Sequence, residues 1–318
     1  MPLFHGLSAF PITPADEHGR VDTASLGELL ERLVAAGVDS IGLLGSTGTY
    51  ACLTRGERRR TIEAAANLVG GRVPIIVGIG ALRTDDAQHL ARDAEAAGAN
   101  GLLLAPVSYT PLTDEEVFQH FVAVSGATGL PLCIYNNPST THFAFSDQLV
   151  ARLAAVPRIV AVKNPAPSPT EAQAMVGALR RQVPPGFAIG YSGDSNAPNA
   201  ILAGAVAWYS VLGGLLPRPC LALTRAALAK DAAEVRRIDA TLQPLWGLFK
   251  QHGSLRVVYA AANLLGLTQA QPPRPILPLG AAERERVREA LGRVTDGTCD
   301  PGNVSAVALR RAFSDVAP

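Results

Sequence analysis

Eight short apolar runs alternate with longer amphipathic segments along this chain, and this alternation limits the folds open to it. Several runs are apolar throughout, for example Ile75-Ile76-Val77 and Leu102-Leu103-Leu104. Such runs are typical of strands that are buried on both faces, as in a parallel sheet. The predicted strands are Gly6–Thr13, Val38–Gly45, Val73–Gly78, Gly101–Ala105, Leu130–Tyr135, Ile159–Lys163, Phe187–Tyr191 and Ala205–Val211.

The segments between these runs carry helix signals. Thr54 and Thr113 each stand three residues before a glutamate, which is the spacing of a capping box. Further helix starts are predicted at Asp22 or Thr23, Thr84 and Ser146, and helix ends at Gly37, Gly98 and Gly129. Eight strand–helix units favour a closed (β/α)8 TIM barrel. The alternative is an open, doubly wound sheet, because it is built from the same local units.

After the eighth run the pattern becomes helical throughout. The predicted helices are Leu221–Lys230, Ala233–Phe249, Leu255–Leu265 and Ala281–Val294. We expect the first of them to complete a catalytic barrel over residues 1–230. The others predict a C-terminal helical region, residues 231–318, packed on the barrel as an appendage.

Composition and charge exclude several classes of protein. Hydrophobic residues make up 48% of the 318 residues and charged residues 17%, which is enough for a large core. The formal net charge of +1 gives no electrostatic reason to expect nucleic acid or a membrane surface as partner. The chain begins without a signal-peptide pattern and has no membrane-length apolar run, so a cytoplasmic location is expected. The longest basic run, Arg58-Arg59-Arg60, is interpreted as a solvated helix face.

No metal site is predicted. The four cysteines are scattered without CxxC spacing, and the six histidines form neither HxH nor HExxH. We interpret the histidines as solvent-exposed or packing residues.

In a barrel the active site lies at the carboxyl ends of the strands, so the residues that follow each apolar run are the candidates for chemistry. Four of the predicted strands end in polar segments. These segments are Gly45-Ser46-Thr47-Gly48-Thr49, Tyr135-Asn136-Asn137-Pro138-Ser139-Thr140-Thr141, Lys163 and Tyr191-Ser192-Gly193-Asp194.

Lysine usage singles out one residue. Only Lys163, Lys230 and Lys250 are lysines, while 25 of the 28 basic residues are arginines. Lys230 and Lys250 fall late in predicted helices, where a cation suits the helix dipole. Lys163 instead ends a buried-strand run, and a desolvated amine is the nucleophile that imine formation with a ketone requires. The alternative is a lysine that extends to solvent from a strand end.

Two further segments allow a functional and a structural interpretation. Gly45-Ser46-Thr47-Gly48 is either a plain turn or a carboxylate-binding loop built from backbone N–H groups and two hydroxyls. Tyr135 is either a core aromatic residue or a proton-transfer group next to a polar loop.

At these residues the sequence resembles the dihydrodipicolinate synthase / N-acetylneuraminate lyase family of class I, pyruvate-dependent aldolases. The resemblance covers about residues 5–295. Its specificity lies in the order and spacing of several modest motifs. They are Phe10-Pro11-Ile12-Thr13-Pro14 with Gly19-Arg20-Val21-Asp22, Gly45-Ser46-Thr47-Gly48, Tyr135-Asn136-Asn137-Pro138, Val162-Lys163 and Ser192-Gly193-Asp194.

The resemblance implies a role for each matched residue. Lys163 would form the imine with the keto carbon of pyruvate, and Tyr135 would transfer protons, with Thr47 joining that relay. Ser46 and Thr47 would hold the substrate carboxylate. The remaining substrate-binding candidates are Asn137, Ser139, Thr141, Gly193 and the main-chain carbonyl of Tyr209. No metal or organic cofactor is implied, and the resemblance implies a homo-oligomer, commonly a homotetramer of paired dimers.

The chain also departs from the family pattern. The usual Gly-Glu after the second strand is Gly48-Thr49 here, and Asn164-Pro165-Ala166-Pro167 replaces an acidic-small run. Where the synthase has an arginine after Tyr-Asn-x-Pro, this chain has Ser139-Thr140-Thr141. The Pro-Tyr-Tyr that lends a tyrosine to a neighbouring subunit is Pro106-Val107-Ser108, and Tyr109 lies one place away.

The leading hypothesis is a Schiff-base lyase that acts on pyruvate or a 2-keto acid and is not an efficient dihydrodipicolinate synthase. An alternative is a hydro-lyase that uses the same imine to dehydrate a 2-keto-3-deoxy sugar acid. A third hypothesis, from a different class, is a catalytically silent relative that binds a keto acid. Lys163 and Tyr135 argue against the silent relative, and the lost tyrosine at Ser108 argues for it.

Overall fold

The computed structural model describes residues 2–298, and the side chains of residues 2–294. Within this range eight parallel strands close into a barrel in chain order. They are β1 (Gly6–Ala9), β2 (Ser40–Leu43), β3 (Ile75–Gly78), β4 (Gly101–Leu104), β5 (Leu132–Tyr135), β6 (Ile159–Pro165), β7 (Ala188–Ser192) and β8 (Ala207–Ser210). Each overlaps one predicted run, so the (β/α)8 TIM barrel is confirmed and the open sheet is wrong.

Helices cover the outside of the barrel and follow its last strand. They are α1 (Thr23–Ala36), α2 (Arg55–Val69), α3 (Thr84–Ala96), α4 (Asp114–Ser125), α5 (Pro138–Thr141), α6 (Asp147–Ala154), α7 (Ala172–Arg180), α8 (Ala197–Leu202), α9 (Pro217–Leu228), α10 (Ala232–His252), α11 (Ser254–Leu264) and α12 (Ala281–Thr298). Two 3₁₀ turns, Tyr50–Cys52 and Leu212–Gly214, follow β2 and β8.

Most predicted helix starts are correct because a side chain satisfies the free N–H groups of the first turn. Asp22, Thr54 and Ser146 each accept such bonds, and Thr113 forms a complete capping box with Glu116.

Two predicted helix boundaries are wrong. Thr84 lies inside the first turn of α3, where its hydroxyl bonds to His120 Nδ1 at 2.9 Å instead of capping the helix. Helix α4 ends at Ser125, before the predicted Gly129, because Glu95 of α3 accepts bonds from Thr128 and Gly129. In both cases the residue forms a hydrogen bond with another helix instead of capping its own helix.

The barrel interior is filled by side chains, so any site must sit above this packed layer. Small residues from β6, β7 and β8 leave room for larger ones from the other strands. The buried interior cluster comprises Phe4, Phe10, Ile76, Leu103, Ala105, Cys133, Tyr135, Ala161, Ala188, Ala207 and Tyr209. Three of its four aromatic members, Phe10, Tyr135 and Tyr209, lie toward the carboxyl ends of β1, β5 and β8, which is where the predicted site lies.

The C-terminal helices pack against α9 and against one another. Asp231 caps α10 by accepting bonds from two backbone N–H groups. Tyr259 of α11 donates a hydrogen bond to the carbonyl oxygen of Thr13 at 3.3 Å, which ties the appendage to the chain leaving β1. The division at residues 230 and 231 stays a prediction, and the predicted region's residues 299–318 lie outside the described part of the chain.

The interpretation of Arg58-Arg59-Arg60 as a solvated face is wrong for Arg58. This side chain is buried and donates hydrogen bonds to the carbonyl oxygens of Gly78 at 2.9 Å and Gly80 at 3.1 Å. Its guanidinium lies 5.1 Å from the ring centroid of Tyr50, and burial lowers the pKa of Arg58 to about 10. Arg58 therefore ties α2 to the carboxyl end of β3.

Candidate active site

Strand β6 carries Lys163 into the mouth of the barrel. Alternate residues of a strand face opposite sides, so Lys163 faces the interior together with Ala161, whereas Val162 faces the helices. In the strand register Lys163 stands beside Tyr135 of β5 and Gly190 of β7. The side chain of Lys163 is only 4% exposed.

Aromatic rings surround the Lys163 amine. Nζ lies 4.0 Å from the ring centroid of Phe10, 4.2 Å from that of Tyr135 and 5.6 Å from that of Tyr209. Among the described residues no carboxylate pairs with it. A desolvated amine without a counter-ion is a setting in which lysine acts as a nucleophile. Sequence reasoning assigned no role to Phe10, which it named only within the first predicted strand and as part of a family motif.

The Tyr135 hydroxyl reaches the loop after β2 and the loop after β5. Its oxygen lies 3.1 Å from Ser46 Oγ, and the Asn137 side-chain nitrogen donates to it at 2.9 Å. Asn137 Nδ2 also lies 3.5 Å from Ser46 Oγ. The structure therefore brings together Lys163, Tyr135, Ser46 and Asn137, which were predicted from three different strand ends.

The loop that carries Ser46 and Thr47 is held tightly by its glycines. A Cβ on Gly45 would lie 2.8 Å from the Phe10 ring, and one on Gly48 would lie 3.0 Å from the backbone nitrogen of Leu44. Thr47 is buried, whereas Ser46 is only partly buried. Glycine-rich loops of this kind can offer backbone N–H groups to an anion.

The end of β7 is organised by Asp194, a buried carboxylate that sequence reasoning noted only as part of a motif. It accepts bonds from Trp208 Nε1 at 3.0 Å, from Val211 N at 3.2 Å and from Leu212 N at 2.7 Å. Burial raises the pKa of Asp194, and the three donors oppose that effect. Asp194 therefore fixes the chain that follows β8. The adjacent Gly193 has a φ of 90°, a conformation that favours glycine.

The Tyr209 side chain forms part of the floor of the site. Its hydroxyl lies 3.6 Å from Cys133 Sγ, and its ring is so close to β7 that a Cβ on Gly190 would lie 2.5 Å from it. Burial raises the pKa of the Cys133 thiol to about 12 and that of Tyr209 well above its ordinary value. Both groups are thus neutral packing groups beneath Lys163.

The short helix α5 separates two predicted substrate contacts. Ser139 is exposed and donates from its hydroxyl to Asn137 Oδ1 at 2.8 Å. Thr141 is buried, and its hydroxyl donates to the carbonyl oxygens of Asn137 and Phe143. The Thr141 hydroxyl therefore serves the local backbone, which leaves Ser139 and Thr140 as the exposed hydroxyls of this helix.

In the segment expected to reach a neighbouring subunit, Val107 packs against the interior cluster that contains Tyr135. Ser108 donates from its hydroxyl to the carbonyl oxygen of Thr110, and Tyr109 is 97% exposed. Within the part of the chain that the structure describes, no group of three or more histidine, cysteine or acidic residues is placed to hold a metal ion. No helix of residues 2–298 is both long enough and apolar enough to span a bilayer.

A (β/α)8 barrel with a desolvated lysine on β6 and a tyrosine beside it on β5 defines a class I, Schiff-base type of site. The model of the dihydrodipicolinate synthetase family matches residues 3–294, and the chain belongs to that family. Its members are class I, pyruvate-dependent lyases and synthases, so this protein is a lyase of that class.

Relatives with named activities align with nearly the whole chain. The crystal structure of dihydrodipicolinate synthase from Agrobacterium tumefaciens str. C58 is 62% identical, with a TM-score of 0.90 over 92% of this chain and 98% of that one. The 4-hydroxy-tetrahydrodipicolinate synthase of Acidiphilium cryptum (strain JF-5) is 33% identical over 91% of this chain and 98% of its own. A dihydrodipicolinate synthase from Acinetobacter baumannii, solved in complex with pyruvate, is 29% identical with a TM-score of 0.84, over 92% and 99% of the two chains.

Proposed function

We propose that this protein is a lyase that binds pyruvate or a related 2-keto acid as an imine on Lys163. The proposal rests on the surroundings of the Lys163 amine. This residue is almost without solvent exposure, and its Nζ lies 4.0 Å from the ring centroid of Phe10 and 4.2 Å from that of Tyr135. The pyruvate complex of the Acinetobacter baumannii relative supports the choice of keto acid.

The geometry supports a sequence of balanced steps. The neutral Lys163 amine attacks the keto carbon, and the amine proton passes to the former carbonyl oxygen. The Tyr135 hydroxyl then gives a proton to the carbinolamine hydroxyl, which leaves as water, and the imine forms. The deprotonated Tyr135 then takes a proton from the adjacent carbon, and the resulting enamine attacks an aldehyde, whose oxygen receives that proton from Tyr135. Water hydrolyses the imine and frees the Lys163 amine. The reverse order cleaves the same carbon–carbon bond.

Ser46 and Thr47 lie where the keto-acid carboxylate would bind. Their loop offers closely packed backbone N–H groups and two hydroxyls, and Ser46 Oγ is 3.1 Å from the Tyr135 hydroxyl. A carboxylate held there has its keto carbon directed toward the interior, where Lys163 lies. Gly193, with its backbone exposed, and the main-chain carbonyl of Tyr209 complete the proposed substrate contacts.

We further propose that the second substrate is not aspartate semialdehyde. That substrate carries its own carboxylate, which needs a cationic side chain to bind it. Helix α5 presents the hydroxyls of Ser139 and Thr140 at the position of the synthase arginine. Among residues 2–294 the one fully buried arginine is Arg58, and two carbonyl oxygens already occupy its guanidinium. Neutral hydroxyls bind the polyol chain of a sugar acid better than they bind a carboxylate.

Those hydroxyls also favour the second candidate, a hydro-lyase that dehydrates a 2-keto-3-deoxy sugar acid. It needs the same imine, from which loss of a proton at the adjacent carbon gives an enamine that expels the next hydroxyl, once protonated, as water. In the cleavage reaction the imine instead releases an aldehyde and leaves the enamine. The two reactions therefore differ only in which bond breaks after the imine has formed.

The test begins with borohydride reduction in the presence of pyruvate. We expect one stable adduct, on the peptide that contains Lys163, and none in Lys163→Ala. Lys230→Ala is the matched control and keeps the adduct. A label on another lysine, or no label, contradicts the Schiff-base assignment. Mass spectrometry of the products from a panel of sugar acids, with aspartate semialdehyde beside them, then separates cleavage from dehydration.

A further inference from the structure

The side-chain amide of Asn137 is oriented by one hydroxyl and directed at another. Ser139 Oγ donates to Asn137 Oδ1 at 2.8 Å, which fixes the oxygen end of the amide. The nitrogen end, Nδ2, then lies 2.9 Å from the Tyr135 hydroxyl oxygen and 3.5 Å from Ser46 Oγ. The amide thus lies between the rim of the site and its proposed proton donor.

This arrangement sets the direction of the hydrogen bonds. The NH₂ group of an amide can only donate, so the Tyr135 oxygen must accept from Asn137. The hydrogen of Tyr135 is then free to point at Ser46 Oγ, 3.1 Å away, or at a bound substrate. A proton-donating hydroxyl held in this direction is what removal of the carbinolamine hydroxyl requires.

We propose that Asn137 is a positioning residue for Tyr135, and that it completes the proton-transfer group within a single subunit. The inference rests on the proposed Schiff-base function. When Tyr135 gives up its proton, the bond from Asn137 Nδ2 becomes charge-assisted and therefore stronger, so the amide stabilises the developing phenolate. Asn137 takes no proton itself.

The segment that the family resemblance implies as a donor to a neighbouring subunit has no tyrosine at the expected place. Ser108 at the position of the relay tyrosine is short, and its hydroxyl is bonded to the carbonyl oxygen of Thr110. Within a single subunit Tyr109 is 97% exposed, so it does not serve the Tyr135 of its own chain. Asn137 offers the Tyr135 oxygen a donor from only two residues along the same chain.

A purely structural role for the amide does not account for these contacts. Asn137 is the residue before helix α5, yet its side chain makes no capping bond. The backbone carbonyl of Asn137 accepts the bonds from Thr140 N and Thr141 N, both at 3.0 Å. Aspartate is at least as good a residue for this position before a helix. Asn137→Asp therefore keeps the local fold, removes the N–H donor and places a carboxylate beside the Tyr135 hydroxyl.

The test measures exchange of the pyruvate methyl hydrogens for deuterium by NMR, together with borohydride trapping. In Asn137→Asp we expect exchange to slow by about tenfold to a hundredfold, the effect of losing a hydrogen bond to a charged group. The high-pH limb of its pH–rate profile should move to higher pH, because a carboxylate opposes formation of the phenolate. Asn67→Ala, an exposed asparagine in α2, is the matched control and should stay within about twofold of wild type.

The outcomes separate the inference from the proposed function. If wild type forms the Lys163 adduct while Asn137→Asp exchanges within about twofold of it with the same pH profile, the inference is overturned and the Schiff base stands. No adduct in wild type overturns both. Circular dichroism checks the fold, and Ser139→Ala is the second variant. By releasing the amide it should slow exchange by about twofold to tenfold, and an unchanged rate also overturns the inference.

Discussion

Lys163 and Tyr135 are direct neighbours on paired strands, with Nζ of the lysine 4.2 Å from the centroid of the tyrosine ring. The pairing follows from the parallel register of β5 and β6, in which both side chains face the barrel interior. The ring therefore shields the amine while its hydroxyl extends to Ser46 and Asn137. Tyr135 thus has two parts with separable roles: a ring that packs against Lys163 and a hydroxyl that can transfer a proton.

The first prediction separates those parts. Tyr135→Phe keeps the ring beside Lys163 and removes the hydroxyl. Loss of a general acid or base typically slows a reaction by about 10²–10⁴-fold, so turnover should fall on that scale. Pyruvate binding, measured by calorimetry, should persist because Ser46 and Thr47 are untouched. Near-normal turnover would make Tyr135 a packing residue only.

The second prediction concerns the buried carboxylate that anchors the end of β8. In Asp194→Asn the single amide oxygen cannot accept all three bonds, and the new NH₂ group faces backbone N–H donors. A buried donor left unsatisfied costs about 1–3 kcal/mol, so the free energy of unfolding should fall by that amount. Urea denaturation measures it, with the exposed Asp86→Asn as control. Equal stability of Asp194→Asn and wild type would refute the anchoring role.

These cases show what the sequence reveals and what it does not. The eight strands were predictable because short apolar runs alternate regularly with amphipathic segments, and Thr113 was predictable because a capping box is local. The burial of Arg58 was not, because its partners are the carbonyl oxygens of Gly78 and Gly80, brought near only by folding.

In the candidate site, too, some features could be predicted from the sequence and others could not. Lys163, Tyr135 and Ser46 could be found because they end predicted strands, and such ends converge in any parallel barrel. The orientation of the Asn137 amide could not, since it depends on the Ser139 hydroxyl and on a turn that no pattern specifies. Phe10 was missed for a related reason, as its contact with Lys163 joins β1 to β6 across the barrel.

The third prediction is a pH dependence of stability. Burial lowers the pKa of His120 to about 4 from 6.5, so between these values the unfolded chain binds a proton that the folded protein does not. The stabilisation is complete above pH 6.5 and is lost as the pH falls toward 4, by about 3 kcal/mol at most. His120→Gln should lose less stability on acidification. Urea unfolding at several pH values tests this, and the exposed His89→Gln should behave like wild type.

The fourth prediction is assembly into a homo-oligomer. Leu82 is 68% exposed and lines a groove of about 580 Å³ with Val107, Leu112 and polar residues such as Glu115 and His120. Tyr109, two residues after Val107, is 97% exposed. Exposed apolar patches of this kind mark protein interfaces. Light scattering should give a multiple of 33.2 kDa, and Leu82→Glu should weaken the assembly because it places a charge in the interface. A wild-type monomer at micromolar concentration would contradict the prediction.

The last prediction concerns the choice of the second substrate. Thr140 is exposed on helix α5, among the residues that replace the synthase arginine, and its hydroxyl donates to the Asn137 carbonyl oxygen at 3.2 Å. In Thr140→Arg a guanidinium could pair with the carboxylate of aspartate semialdehyde through two parallel bonds. Such a contact contributes about 1.5–3 kcal/mol, so kcat/KM for the semialdehyde should rise by roughly tenfold to a hundredfold. Thr140→Gln, of similar length but uncharged, should gain little. If wild type already reaches about 10⁴ M⁻¹s⁻¹ with the semialdehyde, or if Thr140→Gln gains as much as Thr140→Arg, the carboxylate is bound by other groups and α5 does not set the specificity.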